Sequence, residues 1–345
     1  MDKMDKLDIY VPENIGTMLE HDAEMFEIFK TDKKTNKTTI NKNKFLSMLI
    51  VGYYKDYVSE AKSDKESIKA AIDTDKISSK EKDAIADAIL KTVVLPAVPP
   101  RKGKNPKKFS LKPTAATETL IKQIDRDIDD YVSQYFCRMF MSYCRKPFSQ
   151  RERIIFKDKY DTLLKACNSE QIINFRTIWN PNDIHEVIPY KIVTGPEEMF
   201  NYLLCAEFNT NTQKQETKSY RLNRIHETIN CSENIGVIDD AVKNHLEMMI
   251  KYGPAYTIND DEMTHVRLSN FGVRDFNRIY FGRPVVDKIE PHGDVFDYYF
   301  KGSKDQIFFY FRRFENGEAE IVSPKSLRER MITFHRNAIS IFEKG

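Results

Sequence analysis

The sequence predicts an α+β protein with several domains, and three patterns carry this prediction. A short run of alternating apolar and polar residues precedes a proline and two helical patterns at residues 7–57, and again at residues 107–144. Residues 171–235 are β-rich runs separated by polar turns. Residues 236–345 mix helical and strand patterns, and a chain of 345 residues exceeds what one compact core usually holds. Two or three folded regions are therefore expected.

Composition narrows the class of protein further. The chain is 41% hydrophobic and 31% charged, which is typical of an ordinary soluble protein and excludes global disorder. Fifty-four basic side chains face fifty-two acidic ones, so the formal charge of +2 neither favours nor opposes a nucleic-acid partner. Only the distribution of charge along the chain can decide that question.

The cysteines and the N-terminus indicate a cytoplasmic location. The five cysteines are an odd number without CxxC spacing, which is typical of a reducing compartment. No apolar segment of a signal peptide follows the first lysines, and no run approaches the roughly eighteen apolar residues of a membrane span. We therefore expect neither secretion nor membrane insertion.

The N-terminal region reads as a strand followed by two helices. In "KLDIYVPEN", residues 7–11 alternate between apolar and polar, and Pro12 opens a helical pattern. A polar loop leads to a second helix that begins near Asn41. Gly52 lies inside this second helix, where the lack of a side chain would permit a close helix crossing.

Residues 61–106 are predicted to connect two such regions. The spacing of Ser78 and Glu81 in "SSKE" is that of a capping box, so a solvated helix is expected there. The stretch "LPAVPPRKGKNPKK" then combines four prolines with five basic residues and no acid. It is typical of a stiff, basic linker.

Residues 107–146 repeat the N-terminal order of strand, proline, helix and helix. Phe109 and Leu111 alternate with polar residues and are expected to point inward. A lone short strand has unpaired edges, so the strand of the other copy is the obvious partner. The apolar faces of the two helices are predicted to be Leu120, Ile121, Ile124 and Ile128, and then Tyr131, Tyr135, Phe136, Met139 and Phe140.

This repeated pattern resembles the ribbon-helix-helix fold. In that fold, two strand-helix-helix units pair their strands into an antiparallel ribbon whose outward side chains enter a nucleic-acid groove. The resemblance implies five nucleic-acid-binding candidates on the ribbon, which are Lys6, Tyr10, Lys108, Ser110 and Lys112. The alternative is an ordinary solvated strand face, and Asp8 would repel phosphate from it.

From Pro147 onward, the pattern changes to a helix and then to a small, strongly bent sheet. Three motifs follow one another along this sheet: Pro189-Tyr190, Tyr202-Leu203 and Arg221-Leu222-Asn223-Arg224-Ile225. They resemble the WYL domain, an Sm-like β-barrel module of bacterial regulators. The chain departs from the family at Asn201, where the family has tryptophan, and its single tryptophan, Trp179, lies elsewhere.

The resemblance implies a pocket for nucleic acid or nucleotides, and the residue types agree with it. Arginine forks beside aromatic faces suit phosphates and stacked bases. The candidate residues are Arg176, Tyr190, Asn201, Tyr202, Arg221 and Arg224. The alternative is that the tyrosines belong to the core and that the arginines pair with acids such as Glu186 or Glu207.

The last part of the chain resembles the extension that commonly follows WYL domains. The similarity rests on Gly282-Arg283-Pro284, on "QIFFYFRRF", interpreted as a strand, and on a helix that starts at Ser323-Pro324. Such extensions often help to form homodimers, so a homodimer is expected, although the apolar stripe of the last helix could instead dock on its own sheet. The predicted α+β organisation is ribbon-helix-helix unit one at 1–60, a helical and basic linker at 61–106, unit two at 107–146, the WYL domain at 147–235 and an α/β dimerisation extension at 236–345.

No catalytic, cofactor or metal motif is present in the sequence. The seven histidines show no HExxH spacing, and neither GxSxG nor a Walker loop occurs. Cysteines and histidines do not pair at the spacing of metal ligands. We therefore expect a protein that is not an enzyme and needs no cofactor.

Two functions remain, together with a third class in which the protein is purely structural. The order of a ribbon-helix-helix unit and a WYL domain resembles the accessory WYL proteins of type VI-D CRISPR systems, which bind single-stranded RNA and modulate an RNA-guided nuclease. The alternative is a DNA-binding transcriptional regulator with a ligand-sensing WYL domain. Reading an operator needs base-contacting side chains in the major groove, whereas single-stranded RNA needs aromatic stacking and a basic track. Asp8 and the modest basicity of the ribbon favour RNA.

Overall fold

A computed structural model describes residues 6–72, 76–90, 106–127, 131–195, 199–315 and 317–343. The chain divides into two compact units, Met1–Asp158 and Lys159–Gly345. Helices alternate with antiparallel sheets in both, so the α+β class is as predicted. Within the described ranges, no helix is long and apolar enough to cross a bilayer. Most of the predicted basic linker, and Ile128, lie outside the described residues.

The first unit contains two pairs of short strands and a set of helices. Its strands are β1 (Leu7–Val11), β2 (Phe29–Thr31), β3 (Thr38–Ile40) and β4 (Lys107–Leu111). Its helices are α1 (Glu13–Met25), α2 (Lys42–Ala71), α3 (Ser79–Ile89), α4 (Ala115–Asp127), α5 (Val132–Cys144) and α6 (Phe148–Ile155), and α7 (Lys157–Ser169) leads into the second unit.

Strands β1 and β4 pair in the antiparallel direction, as the sequence predicts. Leu7 lies opposite Leu111, and Ile9 lies opposite Phe109. Ile9 and Leu111 are fully buried, so the alternation of apolar residues turns one face of this two-stranded ribbon to the core. The predicted polar loop after α1 instead contains a hairpin formed by β2 and β3.

Close packing and a buried ion pair hold the helices of the first unit. A Cβ atom on Gly52 of α2 would lie 2.1 Å from the carbonyl oxygen of Ile154 in α6, so this crossing requires glycine. Asp22 is fully buried and accepts hydrogen bonds from Arg151 at 2.7 and 3.0 Å and from the Tyr143 hydroxyl at 2.9 Å. These hydrogen bonds satisfy the buried carboxylate.

The second unit begins with a five-stranded antiparallel sheet. Its strands are β5 (Gln171–Thr177), β6 (His185–Val193), β7 (Tyr202–Asn209), β8 (Lys214–Arg221) and β9 (Ile225–Ile235), paired in the order β8-β7-β6-β5-β9. In the described part of the chain, β8 and β9 remain the two edges, and no closed barrel is found. Helix α8 (Asp240–Tyr252) packs on this sheet through Val242, Leu246 and Met249.

The rest of the second unit is a four-stranded antiparallel sheet with helices on one face. It contains β10 (Thr264–Ser269), α9 (Asn270–Arg278), β11 (Lys288–His292), β12 (Val295–Phe300), α10 (Lys304–Phe311), β13 (Ala319–Ser323) and α11 (Lys325–Phe342). The strand order is β11-β12-β10-β13. A β-α-β-β-α-β chain with this order is the split β-α-β arrangement.

The predicted strand in "QIFFYFRRF" is wrong, because this segment belongs to helix α10. Ser303 precedes the helix, and its hydroxyl accepts a hydrogen bond from the backbone N–H of Asp305. Five of its eight residues are buried, including Ile307, Phe308 and Tyr310, and the exposed Phe309 is apolar as well. A helix that is apolar all round has no period that distinguishes it from a buried strand.

Candidate nucleic-acid interface

The arginine motif of the second unit lies on a tight turn and not along a strand. Residues Leu222–Arg224 form a 3-10 turn between β8 and β9, with Arg221 and Arg224 at its two ends. Lys159 is buried, and its Nζ donates hydrogen bonds to the carbonyl oxygens of Leu222, at 3.2 Å, and Ile225. This buried ammonium group therefore satisfies two carbonyl oxygens of the turn and stabilises it.

Each arginine of the turn lies over an aromatic ring. The guanidinium carbon of Arg221 is 3.0 Å from the ring centre of Phe200, and that of Arg224 is 5.8 Å from the ring centre of Trp179. Phe200 is buried, whereas Trp179 is 71% exposed. Both contacts are cation–π interactions. The turn therefore combines two cations with an exposed indole face, which is the pairing of groups that suits phosphates and unstacked bases.

Long-range strand pairing brings Trp179 to this turn. Thr177 at the end of β5 pairs with Ile225 of β9, and the Ile178 amide donates a 2.9 Å hydrogen bond to the Arg224 carbonyl. The sequence alone placed this tryptophan outside the motif, because it stands more than forty residues before Arg224. Local patterns do not specify which strand pairs with β5. Without that pairing, the sequence could not place Trp179 beside the arginine turn.

Asn201 is a buried residue that is hydrogen-bonded to the arginine turn. Its side chain is fully buried, and Oδ1 accepts a 3.0 Å hydrogen bond from the Thr194 hydroxyl. Its carbonyl oxygen accepts a 2.8 Å hydrogen bond from the Leu222 amide. Asn201 therefore anchors the arginine turn through its backbone carbonyl. Asn223, within the turn, is also buried.

The two predicted tyrosines pack against the sheet and helix α8. Tyr190 and Tyr202 are both half-buried against the apolar cluster under α8. The Tyr190 hydroxyl donates to Glu247 of α8, which also accepts a 2.8 Å hydrogen bond from Lys191, and both partners lower the pKa of Glu247. Tyr202 lies directly opposite Arg221 in the β7–β8 ladder. Tyr202 thus adjoins the turn, whereas Tyr190 is tied to the helix.

Arg176, Glu186 and Glu207 are the remaining groups named from the sequence, and Glu186 lies on β6 opposite Asn174 of β5. Arg176 is exposed on β5. Glu207, considered as an arginine partner, accepts a 3.1 Å hydrogen bond from the Tyr220 hydroxyl and lies 3.0 Å from Nδ1 of His185. The structure therefore brings Arg221, Arg224 and Tyr202 to one turn with two aromatic rings that the sequence did not assign to it.

The β1–β4 ribbon turns its predicted polar residues to one face, and several of them bind each other. Asp8 lies opposite Ser110, and Tyr10 lies opposite Lys108. Asp8 accepts a 2.6 Å hydrogen bond from the Ser110 hydroxyl and forms a 2.6 Å ion pair with Lys108. These two partners lower the pKa of Asp8. The Lys108 ammonium is also 6.0 Å from the Tyr10 ring centre.

Two further predicted cations lie at one end of the ribbon. Lys6 is exposed just before β1, and Lys112 is exposed just after β4. The backbone amide of Lys112 donates a 2.7 Å hydrogen bond to the side chain of Asn43, which fixes this end against α2. Because Leu7 lies opposite Leu111 in the antiparallel register, Lys6 and Lys112 flank the same end of the ribbon, and the Asp8 carboxylate follows them along the outer face. Among the described residues, no group of three or more His, Cys, Asp or Glu is placed to hold a metal ion.

Comparison with known proteins adds one informative likeness. No family model and no curated protein matches the chain. A solved structure described as "Crystal structure of a CRISPR Cas-related protein" resembles it with a TM-score of 0.68 at 17% identity, covering 100% of this chain and 96% of that one. At this identity, the similarity shows a shared fold. Proteasome accessory factor B/C of Arthrobacter aurescens gives a TM-score of 0.24 at 11% identity over 65% of this chain and 35% of that one, which carries no argument.

Proposed function

We propose that this protein is a nucleic-acid-binding regulatory protein that binds single-stranded RNA at the turn Arg221–Arg224. The observation that carries the proposal is the Arg224–Trp179 pair, in which a guanidinium lies over an indole that is 71% exposed. Stacking on a ring uses the face of a guanidinium, while its N–H donors point outward in its plane. A nucleotide could therefore stack on the indole while its phosphate meets the arginine.

Single strands suit this site better than duplexes. An aromatic side chain can stack only on a base whose face is available, and such faces occur in single strands, loops and ends. Operator reading by the ribbon is less favoured, because Asp8 occupies Lys108 and Ser110 on its outer face. An acid at this point repels the phosphates that a duplex brings to the ribbon.

We place this RNA binding in a CRISPR accessory role, in which the protein modulates an RNA-guided nuclease. The support is the likeness, over the whole chain, to a structure described as that of a CRISPR Cas-related protein. The WYL and ribbon-helix-helix motifs of the sequence, together with the paired strands β1 and β4, agree with such an accessory protein. In this role the chain has no catalytic function, and the nuclease performs the chemistry.

The second candidate function is DNA-binding transcriptional regulation. The paired ribbon favours it, because β1 and β4 turn Tyr10, Lys108 and Ser110 to one outer face. A two-stranded ribbon fits the major groove of duplex DNA. In this alternative, the arginine turn would bind an effector instead of RNA.

A homodimer is part of the proposal, and α11 is the element that supports it. This helix exposes four apolar side chains, namely Ile332, Ile339, Ile341 and Phe342. Exposed apolar groups at one helix end favour association with a second copy. Light scattering after size-exclusion chromatography would give twice the chain mass, and charged replacements at Ile339 and Ile341 together should give the monomer mass.

The decisive experiment compares fluorescence-polarisation binding of single-stranded RNA, single-stranded DNA and duplex DNA over a salt series. We expect the tightest binding for single-stranded RNA and a loss of affinity with salt, because phosphate contacts release counterions. Arg224→Ala should weaken RNA binding. The matched control is Arg274→Ala, since Arg274 also lies over an exposed ring, that of Phe271, at 5.1 Å.

Each outcome separates the candidate functions. Tight RNA binding that Arg224→Ala reduces and Arg274→Ala spares supports the proposal, and a nuclease-stimulation assay with an RNA-guided nuclease follows. Preference for duplex DNA, unchanged by Arg224→Ala, would make the protein a DNA-binding regulator. Absence of binding to all three ligands at low salt would contradict both functions.

A further inference from the structure

A cavity in the second unit contains a buried acceptor group. The cavity has a volume of about 350 Å³ and lies between the end of α8, the loop after α9 and the start of α10. Gln306 lines it and is only 4% exposed. Its Oε1 atom has no hydrogen-bond partner among the described residues. A buried amide oxygen without a partner is costly to the fold, so it points to a ligand that donates a hydrogen bond.

The orientation of the Gln306 amide is set by its other end. Nε2 donates a 3.3 Å hydrogen bond to the carbonyl oxygen of Gly282. A flipped amide would put two oxygens against each other, so the nitrogen must face Gly282 and the oxygen must remain the acceptor. The ligand group that meets Oε1 is therefore an N–H or O–H donor.

Glycines leave space around this amide. A Cβ atom on Gly253 would lie 3.3 Å from Oε1, and one on Gly302 would lie 3.7 Å from it. Gly253 also has a φ of +139°, which side-chain-bearing residues rarely adopt. Any other residue at this position would be strained and would crowd the acceptor. The absence of side chains on both sides keeps the polar end of the cavity open.

The remaining walls suit a flat ring with an anionic group. The buried Phe276 belongs to the lining, and Val285 is exposed at the rim. The guanidinium carbon of Arg283 lies 5.8 Å from the Phe276 ring centre. Lys251 is the second cation of the lining, and its ammonium donates a 2.9 Å hydrogen bond to the Tyr252 hydroxyl. Apolar walls, one buried acceptor and two cations are the composition of a small-molecule site.

We propose that this cavity, the Gln306 pocket, binds a nucleoside monophosphate. An N–H group of the base donates to Gln306 Oε1, the base packs beside Phe276, and the phosphate lies near Arg283 and Lys251. Arginine and lysine are both suited to phosphate, and glutamine amides commonly read the edges of bases. The pocket shares no residue with the arginine turn, so it would be a second binding site, for a small-molecule ligand.

Isothermal titration calorimetry of the full chain with AMP, CMP, GMP and UMP tests this proposal. Ribose 5-phosphate and inorganic phosphate are the probes that lack the base. We expect at least one nucleoside monophosphate to bind at least tenfold more tightly than ribose 5-phosphate. Gln306→Met should weaken that binding about tenfold, because it removes the acceptor at nearly constant volume. Gln123→Met on the exposed face of α4 is the matched control.

A second variant blocks the pocket without changing the amide. Val285→Trp should fill the rim and abolish nucleotide binding, whereas Val237→Trp, at another exposed valine, should preserve it. Neither variant should alter RNA binding at the arginine turn. The proposal is overturned if no monophosphate binds at millimolar concentration, if ribose 5-phosphate binds equally well, or if Arg224→Ala abolishes nucleotide binding while Val285→Trp does not.

Discussion

The β1–β4 ribbon and the Arg221–Arg224 turn both present cations, but they hold them in different ways. On the ribbon, Lys108 makes a 2.6 Å ion pair with Asp8. At the turn, Arg224 lies over the exposed ring of Trp179. An ion pair places an opposite charge beside the cation, whereas a cation–π contact places the quadrupole of an aromatic ring there. Equal numbers of cations therefore do not make equal sites for an anion.

The two regions also differ in what they offer a base. On the ribbon, the Lys108 ammonium lies over the ring of Tyr10. The buried side chains of Ile9 and Leu111 pack the ribbon against the core. Trp179 lies beyond the end of its strand and is largely exposed. With Arg224 over one face, an exposed indole can contribute its other face or an edge to a stacked nucleotide. These differences agree with a mainly structural role of the ribbon and with the binding role proposed for the turn.

The largest expected effect tests the structural role of the ribbon. Leu111→Asp would bury a carboxylate opposite Leu7, where the wild-type side chain is fully buried. We expect the first unit to lose about 4 kcal/mol of stability or more, from lost apolar burial and an unpaired charge. Urea unfolding followed by circular dichroism, with protease sensitivity inside residues 1–158, would measure the loss.

The control for this variant is the same new residue at the neighbouring outward position. Ser110→Asp faces Asp8 across the ribbon, and like charges opposite each other on an open face cost at most about 1 kcal/mol. Equal unfolding midpoints for the Leu111 and Ser110 variants would mean that β1 and β4 do not pair in solution.

The next effect tests the binding role of the turn. Trp179→Ala should weaken single-stranded RNA binding about tenfold or more, since stacking of one base on an aromatic side chain contributes roughly 1–3 kcal/mol. Trp179→Phe keeps a stacking face and should recover most of the affinity. Because the side chain is 71% exposed, the melting temperature should hardly change in either variant. If Trp179→Ala and Trp179→Phe bind RNA as the wild type does, the indole is not part of the interface.

These two regions also differ in how far the sequence predicted them. The β1–β4 pairing followed from local patterns, because each alternating strand had an apolar face and no neighbour in its own segment. Local patterns also predicted the arginine motif, but they did not predict the two aromatic rings that contact its arginines. Phe200 and Trp179 reach the turn through the packing and pairing of distant segments, which a single sequence does not encode in its local periodicity.

Helix α10 is the element that local patterns misread. Its aromatic run lacks alternation with polar residues and was interpreted as a buried strand. The capping signal of Ser303, followed by an acid in the first turn at Asp305, was present in the sequence and indicates a helix. Where an apolar run has no period, its end signals are therefore more informative than its composition.

A smaller effect is expected when the acid on the outer face of the ribbon is removed. Asp8→Asn takes away one negative charge and the ionic partner of Lys108, so nucleic-acid affinity at low salt should rise roughly twofold to threefold. The salt dependence should steepen by about one counterion. The binding isotherms of RNA and of duplex DNA over a salt series would measure both changes.

The control is Asp83→Asn on α3, which removes the same charge from a second lysine-paired acid, 3.0 Å from Lys69 and away from the ribbon. Lowering the pH should not reproduce the gain in nucleic-acid affinity expected for Asp8→Asn. The partners of Asp8 lower its pKa, so the carboxylate stays ionised as pH falls from 8 to 5 and protonates only below the usual range of aspartate. An affinity gain of the same size in both variants would reflect net charge alone and would leave the ribbon without a binding role.

The smallest effect concerns the tyrosine that the sequence assigned to the site and the structure ties to α8. Tyr190→Phe removes a hydroxyl that donates to Glu247, while Lys191 continues to hold that carboxylate. The ring would keep its packing against the cluster under α8. We therefore expect RNA affinity to change less than about twofold, as for a surface substitution away from the interface. Fluorescence-polarisation binding of RNA, measured in parallel with Trp179→Ala, would test this expectation. A tenfold loss of affinity for Tyr190→Phe would mean that the RNA interface extends from the turn to β6, and that Tyr190 binds RNA as Trp179 does.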